Sequence, residues 1–499
     1  MLDDGPVLYL ATSALALAVL ICVRRYWVDH SGLPLPPGPT PLPLLGNILS
    51  LDVTQPWLAF NTWRFTYGDI IYARLFSKPV IVINSEEVAK DLFERRSHVY
   101  SDRPQSILYE PFAVDFNIVF MPYGDRWRLH RRILHQAFRQ VEIPSYHALQ
   151  LRSAHKMLFS LLQNPDDYSS HFQMFILSFM LPIVYDYEVK AKEDRIVDAM
   201  SRYVKMVGES LAPGPTALME TFPCLLQLPS WFPGVTFKQA SVKCIQTGYD
   251  IQELPFQYVR ERMSTGGMLP CLVADTLNKM GLSEEDDDIT TAVKEAASIA
   301  SAVASDTSTS TLHVFLLAMV LNPEVQAKAH AEINRVVGKD RLPDFDDRPS
   351  LPYLEAVLRE TLRWHPVAPL GIPHATTTSD IYKGYFIPKG VVVFANIFRA
   401  MTHDEKKYPN PGEFKPERFL HEDGSLTSDT MPLGFGWGRR ICAGRHLADA
   451  SLWIAIASFP KFSAGITSHP EKFPFRIVTR FSDASVRTLM HSTGLEQSV

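Results

Sequence analysis

The stretch Phe435-Gly-Trp-Gly-Arg-Arg-Ile-Cys-Ala-Gly444 decides how this chain is read. Its glycines, with Gly434 just before them, allow a tight turn and a close approach to a flat partner. Arg439 and Arg440 add planar guanidinium forks suited to carboxylates or phosphates. Cys442 follows, and after Gly444 an apolar helical pattern begins with Leu447, Ala448, Ala450, Leu452 and Trp453. A thiol just ahead of a helix lies among unpaired N–H groups at the positive end of the helix dipole, which favours thiolate. Such a thiolate could be a nucleophile, a redox thiol or a ligand to a soft metal. The rest of the chain has to choose among these.

The 499 residues are 46% hydrophobic and carry a formal net charge of −5. That composition can bury a large core and gives no reason to expect a nucleic-acid partner. The five cysteines (22, 224, 244, 271 and 442) are far apart and contain no C-x-x-C. Neither a disulfide framework nor a zinc cluster is expected. No internal repeat or Gly/Ser linker interrupts residues 51–499, so one large, mainly helical domain is expected there.

Residues 7–23 carry no charge, and as a helix they would rise about 26 Å, near the ~27 Å hydrocarbon thickness of the endoplasmic reticulum. Asp3 and Asp4 precede them and Arg24 and Arg25 follow. This pattern predicts a single-pass anchor with the body in the cytoplasm, and the acidic front end argues against a cleaved signal peptide. Prolines at 34, 36, 37, 39, 41 and 43 predict a stiff, extended spacer. The expected division is an anchor over 1–27, a proline-rich hinge over 28–50 and a catalytic domain over 51–499.

Within the body, alternation over 70–83 predicts two strands joined by a turn, and Ser85 caps a helix. The aromatic-rich stretch 100–121 reads as a loop lining an apolar cavity, or as ordinary packing. A basic helix opens after Tyr123, with Trp127 and Arg131 sharing a face. Its Arg126, Arg128, Arg131 and Arg132 offer a solvated surface, an anion site or a docking patch. Several helices follow over 145–280, broken at Pro213–Pro215 and Pro229–Pro233. The apolar segment 225–233 is a second membrane-contacting surface or a lid.

The longest helix is expected over 285–321. Its middle is rich in Ala, Ser and Thr, which lets another group come close, and Asp306 and Thr307 add an acid and a hydroxyl to that groove. A new helix starts at Asn322-Pro323, and another over 351–365 places Glu360 and Arg363 on one face. Residues 381–398 alternate like strands around a Pro388-Lys-Gly390 turn.

Together these pieces resemble the cytochrome P-450 haem-thiolate monooxygenases over essentially the whole chain. The motif F-x-x-G-x-R-x-C-x-G is met by Phe435, Gly438, Arg440, Cys442 and Gly444; E-x-x-R by Glu360 and Arg363; P-E-R-F by Pro416–Phe419; W-x-x-x-R by Trp127 and Arg131; and the acid–alcohol pair by Asp306 and Thr307. The stretch ETLRWHPVAPLGIPHAT is similar to fungal members that tailor secondary metabolites. One departure is Ala304, where the family usually has glycine.

The resemblance implies a mainly α fold with small β-sheets behind one N-terminal transmembrane helix, and haem b ligated by the Cys442 thiolate. It further implies that Trp127, Arg131, His374 and Arg440 hold the haem propionates and that Phe435, Gly438 and Gly444 shape the thiolate loop. Glu360, Arg363 and Arg418 would form a buried ion network, while Asp306 and Thr307 relay protons to dioxygen. Phe112, Phe116, Ala300, Ala304, Val367, Leu370 and Phe481 would line an apolar substrate pocket. No nucleotide fingerprint is visible, so the NADPH electrons would come through a separate flavin reductase. The implied activity is oxidation of a terpenoid, polyketide or aromatic scaffold at the endoplasmic reticulum membrane. Competing readings are a thiolate-haem isomerase or dehydratase that needs no outside electrons, and a non-catalytic haem sensor.

Overall fold

A computed structural model gives the fold and describes residues 32–76, 78–190, 193–210, 216, 219–228, 237–280, 287–459, 461–464 and 475–478. The architecture is mainly α with small sheets. Helices α1 (Pro56–Tyr67), α2 (Glu86–Lys90) and α3 (Ser97–Tyr100) accompany strands β1 (Ile70–Leu75) and β2 (Lys78–Ile83). A helical run follows: α4 (Asp125–Phe138), α5 (Ile143–Gln163), α6 (Tyr168–Tyr185), α7 (Arg195–Ser210), α8 (Phe237–Thr265) and α9 (Leu272–Met280). It continues with α10 (Asp287–Leu321), α11 (Pro323–Val336) and α12 (Pro352–Trp364). Strands β3 (His374–Ala375), β4 (Asp380–Tyr382), β5 (Tyr385–Ile387) and β6 (Val392–Ala395) precede α13 (Arg445–Ser458), and β7 (Lys461–Ala464) pairs with β8 (Phe475–Val478).

Strands β1 and β2 form the expected antiparallel hairpin, with Ile71 opposite Val82. Both faces are covered: Ile71 and Val82 pack on Phe60 of α1, while Ile70, Ile81 and Ile83 enter a larger cluster with Phe93 and Val393. Double coverage explains why Val80–Ile83 is a continuous apolar run rather than an alternating one. Ser85 caps α2 by accepting from the Val88 N–H at 3.5 Å.

The alternation over 381–398 is divided between two sheets. Strands β4 and β5 pair with each other across Lys383-Gly384. The Pro388–Gly390 turn instead delivers β6 to the first sheet, where it runs parallel to β2 and antiparallel to β3. Thr376 holds that turn, its hydroxyl donating to the Pro388 carbonyl at 2.7 Å and accepting from the Val391 N–H at 3.1 Å.

Helix α10 has 35 residues, about 52 Å of rise, and it touches α4, α6, α7, α8, α9, α11, α12 and α13. Ser298, Ser301 and Ser305 are buried on it. Their hydroxyls return to carbonyls of their own helix, at 2.8–3.2 Å. Polar side chains satisfied in this way let the apolar α6 pack closely without orphaned groups.

The proline run is extended, but it does not hang free. The Tyr72 N–H donates to the Pro37 carbonyl at 3.0 Å and the Phe386 N–H to Pro34 at 2.8 Å. Asn47 fastens the other end: its N–H and side-chain oxygen take the backbone of Arg74, and its amide donates to Pro39 and Thr40. A Cβ on Gly38 would sit 1.8 Å from the Tyr72 carbonyl oxygen. Residues 34–47 are therefore a strap along the strand edges, which corrects the reading of that part of the hinge as a spacer.

Among the described residues no helix is long and apolar enough to cross a membrane. The segment 7–23 lies outside them, as do the prolines at 213–215, Pro229–Pro233 and Phe481.

Candidate functional site

The cysteine loop is shaped by two contacts. The Cys442 N–H donates to the Phe435 carbonyl at 2.8 Å, closing the loop on itself. Gly438 has φ +54°, and a Cβ there would lie 2.0 Å from the Phe93 carbonyl oxygen. Only glycine lets the loop seat against the Asp91–Arg95 turn. Trp437 packs beside it on the Phe93 ring, with centroids 5.6 Å apart.

Cys442 keeps exposed surface, yet burial pushes its thiol up, against the Gly444 N–H and the charges of Arg131 and Arg445. The two facts agree if the thiol lines an internal hollow. They correct the expectation that the helix terminus makes Cys442 a thiolate unaided. Desolvation outweighs the dipole, so the proton stays until a cation offsets the burial.

Helix α10 has an uncovered stretch of its own. Asp306 and Thr307 are exposed and Ala300, Val303 and Ala304 half-buried, while Ser301, Ala302, Ser305 and Ser308 are buried. Mid-helix positions of an element packed on so many sides are uncovered only where an interior space lies next to them. Burial raises the Asp306 carboxyl above its ordinary value. The Thr307 hydroxyl donates to the Val303 carbonyl at 3.1 Å. The helix runs unbroken across Ala304, without local widening.

Helices α4, α10 and α13 pack against one another, and α4 brings Trp127 and Arg131. The Arg440 guanidinium lies over the Trp127 ring, 4.6 Å from its centroid. Arg440 gives its hydrogen bonds to the carbonyls of Ser101, Ile118 and Met121. Burial, then the neighbouring Arg131, lowers it to about 10, although Asp102 and Tyr123 oppose this. Arg131 is half-buried and is lowered by burial despite the proximity of Cys442.

Arg103, which the sequence reading missed, is buried and bonded only to carbonyls, those of Val119, Ile372 and Pro373 at 2.7–2.9 Å. Its one sequence signal was a lone cation in an aromatic-rich loop. Arg103 is thus a buried guanidinium and Arg440 a half-buried one, neither with an ion-pair partner among the described residues, and Arg131 is close to Arg440. Asp102, beside them, accepts at Oδ1 from the backbone N–H groups of Arg103 and Tyr123. Such a set fits a dianionic ligand, which the two propionates of a haem would be.

His374 behaves differently from its arginine neighbours. It is buried, stacked on Phe93 with centroids 4.2 Å apart, and its Nδ1 donates to the Tyr100 carbonyl at 2.7 Å. Burial, with Arg103 and Arg440, holds the ring neutral. Its Nε2 is therefore an acceptor, and a carboxylate oxygen could meet it only with a proton or a water between them.

Glu360, Arg363 and Arg418 do form a network, and its first two members are fully buried. Arg363 grips Glu360 at 2.6 and 2.8 Å, Arg418 reaches it at 3.3 Å, and the Lys415 N–H donates to it at 2.7 Å. Arg363 also donates to the carbonyls of Thr402 and Glu413. The network ties α12 to the 402–418 segment that leads into the cysteine loop.

Among the pocket candidates, Ala300, Ala304 and Val367 keep open surface. Phe112 is enclosed with Leu108, Val114, Met219 and Cys244, and Phe116 lies buried against Tyr203. Leu370 packs on the Phe60–Ile71–Val82 cluster. These three are packing residues first.

Comparison with known proteins agrees with this arrangement. The family model described as Cytochrome P450 matches residues 36–461. The Cytochrome P450 monooxygenase claR of Ampulloclitocybe clavipes is 34% identical, covering 96% of this chain and 92% of that protein. The monooxygenase ple1 of Rhodocybe pseudopiperita is 35% identical over 92% of each. The monooxygenase COX2 of Coprinopsis cinerea is 34% identical over 97% of each. A thiol just ahead of α13, an acid–alcohol pair on an uncovered stretch of α10 and these matches over nearly the whole length converge: the chain belongs to the cytochrome P450 family and is an enzyme of its monooxygenase class.

Proposed function

We propose that this chain is a membrane-anchored haem-thiolate monooxygenase that oxidises an apolar small molecule in fungal secondary metabolism. The observation that carries the reading is the pairing of Cys442 with the buried Arg103 and half-buried Arg440, which have no ion-pair partner among the described residues. Cys442 would hold the haem iron through its sulfur, and Arg103, Arg131, Arg440 and Trp127 would hold the propionates. When bound, haem supplies the binding and activation of dioxygen, with thiolate donation favouring O–O cleavage.

The chain's own residues manage protons and access. Thr307 gives its proton to the Val303 carbonyl, so its lone pairs face the hollow and can order a water. Asp306, its carboxyl raised by burial, can hold a proton next to that water, as general acid catalysis requires. Ala300, Ala304 and Val367 present apolar surface that suits a terpenoid, polyketide or indole scaffold and excludes bulk water.

Electrons would come from an NADPH-dependent flavin reductase. The expected docking face is narrower than the run of arginines suggested. Arg126 is tied to Glu295, Arg128 to Asp125, and Arg131 is drawn in by burial, which leaves Arg132, Arg439 and Arg445. The anchor at 7–23 would hold residues 51–499, as one catalytic domain, on the cytoplasmic side of the endoplasmic reticulum.

The test is the full chain co-expressed with a reductase in yeast and fed candidate scaffolds. NADPH and oxygen consumption with one oxygen atom in the product supports the reading. Turnover that ignores NADPH would mark an isomerase or dehydratase, and haem binding without turnover of any scaffold would mark a sensor.

A further inference from the structure

Helices α4 and α10 are joined by a buried polar cluster outside the residues used above. His130 of α4 is fully buried, and Glu295 of α10 is 8% exposed at its side chain. His130 Nε2 lies 2.8 Å from Glu295 Oε2, and His130 Nδ1 lies 2.8 Å from the Arg126 carbonyl oxygen. Arg126 Nη2 donates to the other oxygen, Glu295 Oε1, at 2.7 Å.

Both ring nitrogens therefore face an oxygen with no proton of its own to give. A neutral imidazole has a single N–H and would set a lone pair against one of them, at hydrogen-bond distance and away from water. The contact from Arg126 favours Glu295 in its ionised form, so the extra proton belongs on the ring.

Asp115, on the loop before α4, also feels the charges of Arg126 and Glu295, and burial raises its carboxyl.

We infer that His130 is held as an imidazolium ion-paired with Glu295, and that the pair is a positioning device which fixes α4 against α10. The inference rests on the haem reading for its purpose. Trp127 and Arg131 each follow a member of the cluster by one residue. Thr307 lies 12 residues along α10 from Glu295, about 18 Å by helical rise. A slip at this joint moves the propionate clamp relative to the oxygen side. His130 and Glu295 touch neither substrate nor cofactor and act through those neighbours.

Neutron diffraction from the deuterium-exchanged full chain tests the protonation. Deuterons on both ring nitrogens and none on Glu295 are expected. A bare ring nitrogen, or a deuteron on the Glu295 carboxyl, overturns the assignment.

The positioning role is tested with Glu295→Gln and the double variant His130→Gln/Glu295→Gln in the haem-loaded protein. An amide at 295 must turn its NH2 toward one of two donors, so haem transfer to excess apomyoglobin should be about tenfold faster. Product per NADPH should fall with it, while the carbon-monoxide band of the reduced protein persists. Two amides can pair again, so the double variant should move back toward wild type, which a loss of fold would not do. Release and coupling that stay at wild-type values in Glu295→Gln overturn the positioning role. The diffraction arm needs no haem and no turnover, so a chain that never binds haem refutes the role of Cys442 and still answers for His130.

Discussion

Burial sets the chemistry of the two most exposed-looking residues of the site, Cys442 and Asp306. The thiol of Cys442 is pushed above its ordinary 9.0, and ligation needs the thiolate, so haem binding must release a proton. Below the thiol's own value, haem affinity should rise with pH, by up to tenfold per pH step where one proton is released. A pH series of haem titrations checks this. Cys442→Ser should abolish the red-shifted carbon-monoxide band, and its survival would remove the ligand assignment. For Asp306 the sign runs the other way. Its folded value is raised above 3.8, so between the unfolded and folded values the native state holds more protons than the unfolded chain. Stability falls as pH rises through that window. Asp306→Asn should match wild type in acid and melt higher at neutral pH, as thermal denaturation would show. Cys442 was legible because its loop is a dense pattern of special residues. Its protonation was not, because desolvation depends on neighbours far away in sequence, and Arg103 stayed hidden for the same reason.

At the level of elements, buried polar joints decide where the helices sit. Glu360 has both oxygens engaged inside the protein, and Glu360→Gln leaves Arg363 a buried cation without its counter-ion. The expected cost is about 3–5 kcal/mol of stability, measured by denaturant unfolding of the haem-loaded variant. A change under about 1 kcal/mol would place the pair in the weak class of surface ion pairs. E-x-x-R alone reads as such a surface pair, since three-residue spacing reports a shared helix face and says nothing of burial. Helices α10 and α12 were readable from periodicity and caps, because their signals are local. The division of 381–398 between two sheets was not, because Val392–Ala395 finds its partner in Val80–Ile83, hundreds of residues upstream.

Over the whole molecule, the strap at 34–47 changes what removal of the N-terminus should do. Its hydrogen bonds begin at Pro34, so deleting residues 1–27 leaves them all intact. The truncated chain should bind haem as the full chain does and move from the membrane pellet to the supernatant on fractionation. A haem-free product would show that the anchor contributes to folding. Gly38→Ala in the full chain should do the reverse, keeping the chain at membranes while weakening the strap, because its new methyl group meets the Tyr72 carbonyl.

The strap also determines how the protein carries mechanical load. A pull on the N-terminus is taken up at Tyr72, Arg74 and Phe386, on the edges of β1 and β5. The cysteine loop and the helices that carry Arg131 and Thr307 are bypassed. Tension applied at the N-terminus is thus grounded in the two small sheets, and the residues of the site are insulated from it.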